Sequence, residues 1–260
     1  MFIKFCEKKY NIAEGCNTVS LGTLDYYAND DPNFLKYDYS EGKFQISNLG
    51  NEVNLTSSES ERITGGGLVG GGMQLESGSN FNRYFSFPNC YIFCFSQNLP
   101  PTAEKAKEID PLYDSWYSIS DLNKFISELA NYLVKNLKVE DLNICSNVSL
   151  DYLKGISVQV VHRPVEIGRK LVELKESNKE NVISKGEHPI DWLFLKEEKY
   201  KSLNEYRIAF IVLDSFGTQI SVKQNNKIIN LIPDLGVSRI SERKPYNKSS
   251  KQAAENGSPS

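Results

Sequence analysis

Histidine is nearly missing from this sequence: 260 residues hold two, His162 and His188. A histidine-based zinc site needs Cys or acidic partners at short spacing, and neither histidine has them. Cys90 and Cys94 stand close together, but no histidine is near and Cys94 lies inside an apolar run, so no metal site is expected. The same scarcity, with no Gly-x-Ser-x-Gly elbow, argues against a Ser-His-Asp or Cys-His enzyme. Cysteine is also sparse. Cys6, Cys16, Cys90, Cys94 and Cys145 are odd in number and scattered, which fits reduced thiols and not a disulfide framework.

A surplus of positive charge is absent as well: the formal net charge is −3, which excludes general electrostatic binding of nucleic acid. No run approaches the roughly 18 uncharged apolar residues of a membrane span. The first residues, MFIKFCEKKYN, lack the apolar core and cleavage site of a secretory signal, so a cytoplasmic protein without membrane contact is expected. The run GGGLVGGG at residues 65–72 lacks the Lys-Ser/Thr of a phosphate-binding loop and a following helical pattern. It reads as part of a flexible Gly/Ser-rich loop over residues 57–80.

What the sequence does contain is strand-like. Met1–Phe5 and Asn17–Leu24 read as short strands, or as a strand and a strand-to-helix turn, and Lys43–Ser47 with Glu52–Thr56 as a hairpin. Tyr91–Ser96, a continuous aromatic and β-branched run, has the pattern of a strand buried on both faces near the middle of a sheet. Ser120 and Asp121 open a periodic segment in which Leu122, Phe125, Ile126, Leu129, Leu133 and Leu137 share one helical face. Residues 156–161 read as a strand, residues 165–179 as a helix despite Gly168, and residues 218–222 and 227–232 as a hairpin around Asn225-Asn226. Residues 241–260 lack apolar periodicity and read as a disordered tail. The fold expected is a single α+β domain over residues 1–240: a mixed, mostly antiparallel split sheet of about seven to nine strands, divided around the helix at 120–138, with a few helices.

The stretch SLNEYRIAFIVL, residues 202–213, carries the chemistry. In an extended strand Glu205, Arg207, Ala209, Ile211 and Leu213 share one face, and Tyr206, Ile208, Phe210 and Val212 the other. Two charges thus begin a face that is otherwise apolar. On spacing alone, a rim ion pair with neighbouring strands explains them. Asp38 and Glu41 read as solvated turn residues before Gly42. They are also the only acidic residues placed for a magnesium-dependent nuclease, the weakest reading.

Leu21-Gly22-Thr23-Leu24-Asp25-Tyr26-Tyr27, Asp38-x-x-Glu41-Gly42, Cys94-Phe95-Ser96, Trp116 and Glu205-x-Arg207 occur in that order. The set resembles a widespread family of bacterial and phage proteins marked by Cys-Phe-Ser, a downstream Trp and a Glu-x-Arg strand. Here Asn204-Glu205-Tyr206-Arg207 stands where that family often has an extra acid and a Trp. More distantly, the chain resembles ADP-ribosyltransferases, which present a catalytic glutamate at the start of an apolar strand. This resemblance implies Glu205 as the catalytic carboxylate and NAD as the substrate cofactor. It implies Lys4, Ser20, Thr23, Tyr26, Tyr27, Ser96 and Arg207 as the NAD-binding residues, with Arg207 against a phosphate. Lys4 stands where such folds put an Arg or His, and Leu203 where many members have Glu or Gln. The implied reaction transfers ADP-ribose to a protein or nucleic-acid acceptor, in a toxin or phage-defence effector with a neutralising partner protein. The alternative is a non-catalytic recognition or sensor module, with Glu205 and Arg207 as a structural ion pair.

Overall fold

Tyr91–Gln97 does become the middle of a sheet, and the reason is visible in its two faces. Tyr91, Phe93 and Phe95 pack into one apolar cluster, while Ile92 and Cys94 pack into another. Each fully buried Ile or Phe contributes roughly 1.5–3 kcal/mol, so the segment is stable only between two layers. The structure is a computed structural model and describes residues 1–28, 35, 37–65, 71–144, 154–223, 226–230 and 237–239. The tail at 241–260 and the glycines at 66–70 lie outside the described residues.

In chain order the strands are β1 (Phe2–Cys6), β2 (Thr18–Thr23), β3 (Lys43–Leu49), β4 (Val53–Leu55), β5 (Met73–Leu75), β6 (Asn80–Ser86), β7 (Tyr91–Gln97) and β8 (Ser115–Ile119). They continue with β9 (Ser157–Pro164), β10 (Glu166–Ile167), β11 (Leu171–Glu173), β12 (Leu195–Lys196), β13 (Glu205–Leu213), β14 (Gln219–Ile220), β15 (Lys227–Asn230) and β16 (Val237–Arg239). The helices used below are α1 (Leu24–Tyr27), α2 (Ser57–Thr64), α3 (Ala103–Ile109), α4 (Leu122–Asn136), α5 (Lys179–Glu187) and α6 (Pro189–Trp192). Together they make an α+β fold dominated by antiparallel pairing.

The main sheet has nine strands, and its pairings are antiparallel. β13 lies between β9 and β7, and alternates as its sequence predicts: Tyr206, Ile208, Phe210 and Val212 face α4, while Ala209 and Ile211 face the opposite cluster. α4 begins where Asp121 accepts a hydrogen bond from the Lys124 N–H, and buries Phe125, Ile126, Leu129 and Leu133. It covers one face of the sheet and does not divide it.

The split lies elsewhere. On the far edge of β7, β1 pairs at Ser96 and Gln97, and β2 pairs at Tyr91 and Ile92. Residues 93–95 between them have no strand partner on that edge among the described residues. Lys4 reaches into this gap and donates to the Cys94 carbonyl at 2.7 Å.

Several local expectations yield to distant pairing. β3 is flanked by β6 and β11, and β4 pairs with β5, so residues 43–56 form no hairpin. β14 pairs with β13 and β15 with β2, which replaces the predicted closing hairpin. Residues 165–179 hold β10 and β11, parallel to β12 and β3, and turn helical only from Glu176; Gly168 accommodates Leu195, whose Cδ1 would lie 2.8 Å from a Cβ there. Part of the predicted 57–80 loop is the helix α2, because Thr56 and Glu59 close a reciprocal capping box and Gly65 ends it at φ +63°.

Candidate functional site

Glu205 begins β13 directly opposite Ser96 of β7, which in turn lies opposite Ile3 of β1. This end of the sheet therefore carries the chemistry-bearing side chains of three neighbouring strands. α1 adds two more: the Thr23 hydroxyl accepts from the Tyr26 N–H at 3.2 Å and starts the single helical turn that presents Tyr26 and Tyr27. Gly22 has a steric role here, since a Cβ at this position would lie 2.3 Å from the Tyr27 ring. Only a glycine lets that ring lie against β2.

Two adjoining cavities result. The larger, about 340 Å³, occupies the split between β1 and β2 and is lined by Lys4, Ser20, Tyr26 and Tyr27, with the aromatic rings of Phe93 and Tyr117. The smaller, about 60 Å³, is lined by Lys4, Tyr27, Cys94, Ser96, Lys196 and Glu205. Lys4, Phe5, Tyr27 and Tyr113 form a wall common to both. The larger volume falls at the low end of small-molecule sites. Of the residues predicted to bind NAD, Thr23 does not line either cavity. It is fully buried and acts by capping α1.

Behind the smaller cavity lies a buried charge cluster. The Arg207 guanidinium, 1% exposed, donates from Nε and Nη2 to Glu205 Oε1 at 2.9 and 2.6 Å. It also donates to Glu41 Oε1 and Oε2 at 2.6 and 3.1 Å, and from Nη1 to the Leu193 carbonyl. These contacts use the five donors a guanidinium possesses. Arg207, expected against a phosphate, lines the smaller cavity with its donors held by two carboxylates and a carbonyl. Lys196 donates to Glu205 Oε2 at 2.7 Å, stands 3.7 Å from Glu41 Oε2, and lies over the Tyr200 ring.

Asp38 and Glu41 are likewise not solvated. They are 2% and 3% exposed, and Asp38 Oδ2 accepts from Lys170 at 2.8 Å. Lys170 also donates to the Ser40 carbonyl at 2.8 Å, which fixes the turn that delivers Glu41. Both carboxylates are thus committed to cations, which removes the acidic pair on which the nuclease reading relied.

Burial disfavours the ionised form of Glu205, but Arg207 and then Lys196 outweigh it and hold the carboxyl well below the usual range. For Lys196, burial lowers the pKa, while Glu205 and Glu41 overcome it and shift it upward. Burial, reinforced by Glu205, pushes the Cys94 thiol up to about 12. The cavity wall therefore holds an anionic Glu205, a cationic Lys196 and a neutral thiol.

Glu41 and Lys196 were missed as site residues. Lys196 did leave a signal: it ends the apolar run Trp192–Leu195, just as Arg207 interrupts an apolar strand, and a cation in such a run needs a buried partner. His162 bonds through Nδ1 to the Tyr206 hydroxyl at 2.9 Å, away from both cavities. No group of three or more His, Cys, Asp or Glu among the described residues is arranged to hold a metal ion, and no helix among them is long and apolar enough to cross a membrane. No protein-family model, curated protein or solved structure matches the chain.

Proposed function

We propose that the chain is an ADP-ribosyltransferase-like enzyme that binds NAD in the split between β1 and β2 and cleaves it at the Glu205 end. One observation carries this reading: Lys4, Ser20, Tyr26, Tyr27, Ser96 and Glu205, distant in sequence, line two cavities that share a wall. In the reaction, the bond between ribose C1′ and nicotinamide breaks and nicotinamide leaves with the electron pair. Positive charge builds on the ribose, and a lone pair of the acceptor forms the new bond to C1′ while its proton passes to solvent. An ionised carboxylate beside the ribose stabilises that charge. Glu205 is held ionised by its neighbours, so it suits electrostatic stabilisation and not proton transfer. Cytoplasmic action as a toxin or phage-defence effector, a macromolecular acceptor and a neutralising partner protein belong to the same proposal.

A second reading is favoured by a specific observation, the closure of the charge cluster. Two carboxylates meet two cations, with the Arg207 donors fully used, as in a purely structural ion network of a recognition module. Incubation with labelled NAD and lysate separates the two. The enzyme reading expects label transfer or free nicotinamide from the wild type, at least a hundredfold less from Glu205→Gln, and loss of both from Ser20→Trp. The last variant fills the larger cavity from an exposed position on β2 and leaves the buried charges alone. A wild-type protein that neither labels nor consumes NAD overturns the enzyme reading.

A further inference from the structure

Glu41 lines neither cavity, yet it holds Arg207, which lines the smaller one. Its side chain is fully buried and grips Arg207 with both oxygens. Arg207 in turn grips Glu205, whose carboxylate forms part of the cavity wall. The charged groups facing this point come from four elements: Lys4 on β1, Glu41 on the turn before β3, Lys196 on β12, and Glu205 and Arg207 on β13, with the Lys170–Asp38 pair behind. Glu41 and Glu205 together match Arg207 and Lys196. Without Glu41, one carboxylate would face two buried cations, with Lys4 on the cavity wall in either case.

We infer that Glu41 is a positioning and specificity residue: its fork to Arg207 fixes the Glu205 carboxylate at the cavity wall and offsets the positive charge of Arg207 behind it, so that the recess takes the cationic end of a ligand more readily than it would without Glu41. This rests on the nucleotide reading above, and it deepens that reading by naming which end of the dinucleotide lies where. The nicotinamide ring of NAD carries a positive charge, and ADP-ribose lacks that ring. A site walled by low-dielectric protein focuses the field, so a difference of one charge between two such ligands is felt there more strongly than in water.

The test measures binding of NAD and of ADP-ribose separately, by calorimetry, to the full chain. Wild type, Glu41→Gln and the double variant Glu41→Gln/Lys196→Met are compared, with thermal unfolding confirming that each is folded. The expected result is at least a tenfold loss of NAD affinity in Glu41→Gln and less than a twofold change for ADP-ribose. The double variant, which removes one charge of each sign, should recover most of the NAD affinity. A folded Glu41→Gln that keeps the wild-type preference, or loses both ligands equally, overturns the inference alone. So does a double variant that recovers nothing. If the wild type binds neither nucleotide, the nucleotide reading falls and the role of Glu41 falls with it.

Discussion

The two halves of the candidate site are built by opposite means. The split between β1 and β2 is an interruption of backbone pairing, propped open by rings: Tyr27 over Gly22, Phe93 and Tyr117 behind, and Lys4 bridging to the unpaired edge of β7. The Glu205 end is a closure, in which four charged side chains satisfy one another almost without solvent. Shape governs the first and charge the second. A ligand entering the split meets faces and edges that tolerate small movement, whereas one reaching Glu205 meets a cluster in which removing any member leaves another charge unmatched.

The largest effect should come from breaking the closed half. Arg207→Met removes the common partner of Glu41 and Glu205 and leaves two buried carboxylates sharing Lys196. Breaking a buried pair in this way costs about 3–5 kcal/mol. Urea unfolding should show a loss of that size, with the midpoint shifted and the slope unchanged. A loss below about 1 kcal/mol, the level of exposed pairs, would place the cluster among surface salt bridges and dissolve the contrast.

This contrast also explains what could be read in the sequence. β7, β13 and α4 are each specified by their own residues: continuous apolar character, period-two alternation, and a capped helical stripe. The cluster is specified by residues far apart. Arg207 meets Glu41 across 166 positions and Lys170 meets Asp38 across 132, so a turn beside Gly42 reads as solvated until the strands that bury it are in place. The pairings of β3 with β6 and of β15 with β2 are hidden for the same reason, since a strand's local pattern names its buried face and not its neighbour. The split was expected, but around α4. Its true place depends on where β1 and β2 leave β7, and no single segment encodes that.

The open half is tested by Gly22→Ala. The new Cβ would lie 2.3 Å from the Tyr27 ring and 2.9 Å from its hydroxyl, so the ring must leave the wall it shares with both cavities. Overpacking of this kind costs about 1–3 kcal/mol, and binding of NAD should fall with it. Gly71→Ala is the control, because nothing lies within 4 Å of a Cβ there. Gly22→Ala with unchanged stability and binding would mean that Tyr27 does not shape the site.

The smallest effect near neutral pH, and the most diagnostic one in acid, is the pH dependence of the closed half. In the unfolded chain Glu205 titrates near its ordinary value of 4.5, and in the folded chain well below it. Between those values the unfolded state binds the proton, so the stability contributed by the ionised carboxylate is complete above about pH 4.5 and is lost as pH falls toward the folded value. Asp38, also shifted down although burial opposes this, acts in the same direction because of Lys170. Lys196 shifts upward, so its contribution is complete below its ordinary 10.5 and is lost only as pH rises through the higher folded value. Near neutral pH the cluster should therefore be insensitive to pH. Below it, the wild type should lose stability more steeply than Glu205→Gln, which lacks the titrating group. The difference between about pH 6 and pH 3 should exceed roughly 1.4 kcal/mol, the value of one pKa unit. Parallel acid limbs for the two proteins would show that Glu205 titrates normally, and that the closed half is as open to water as the split.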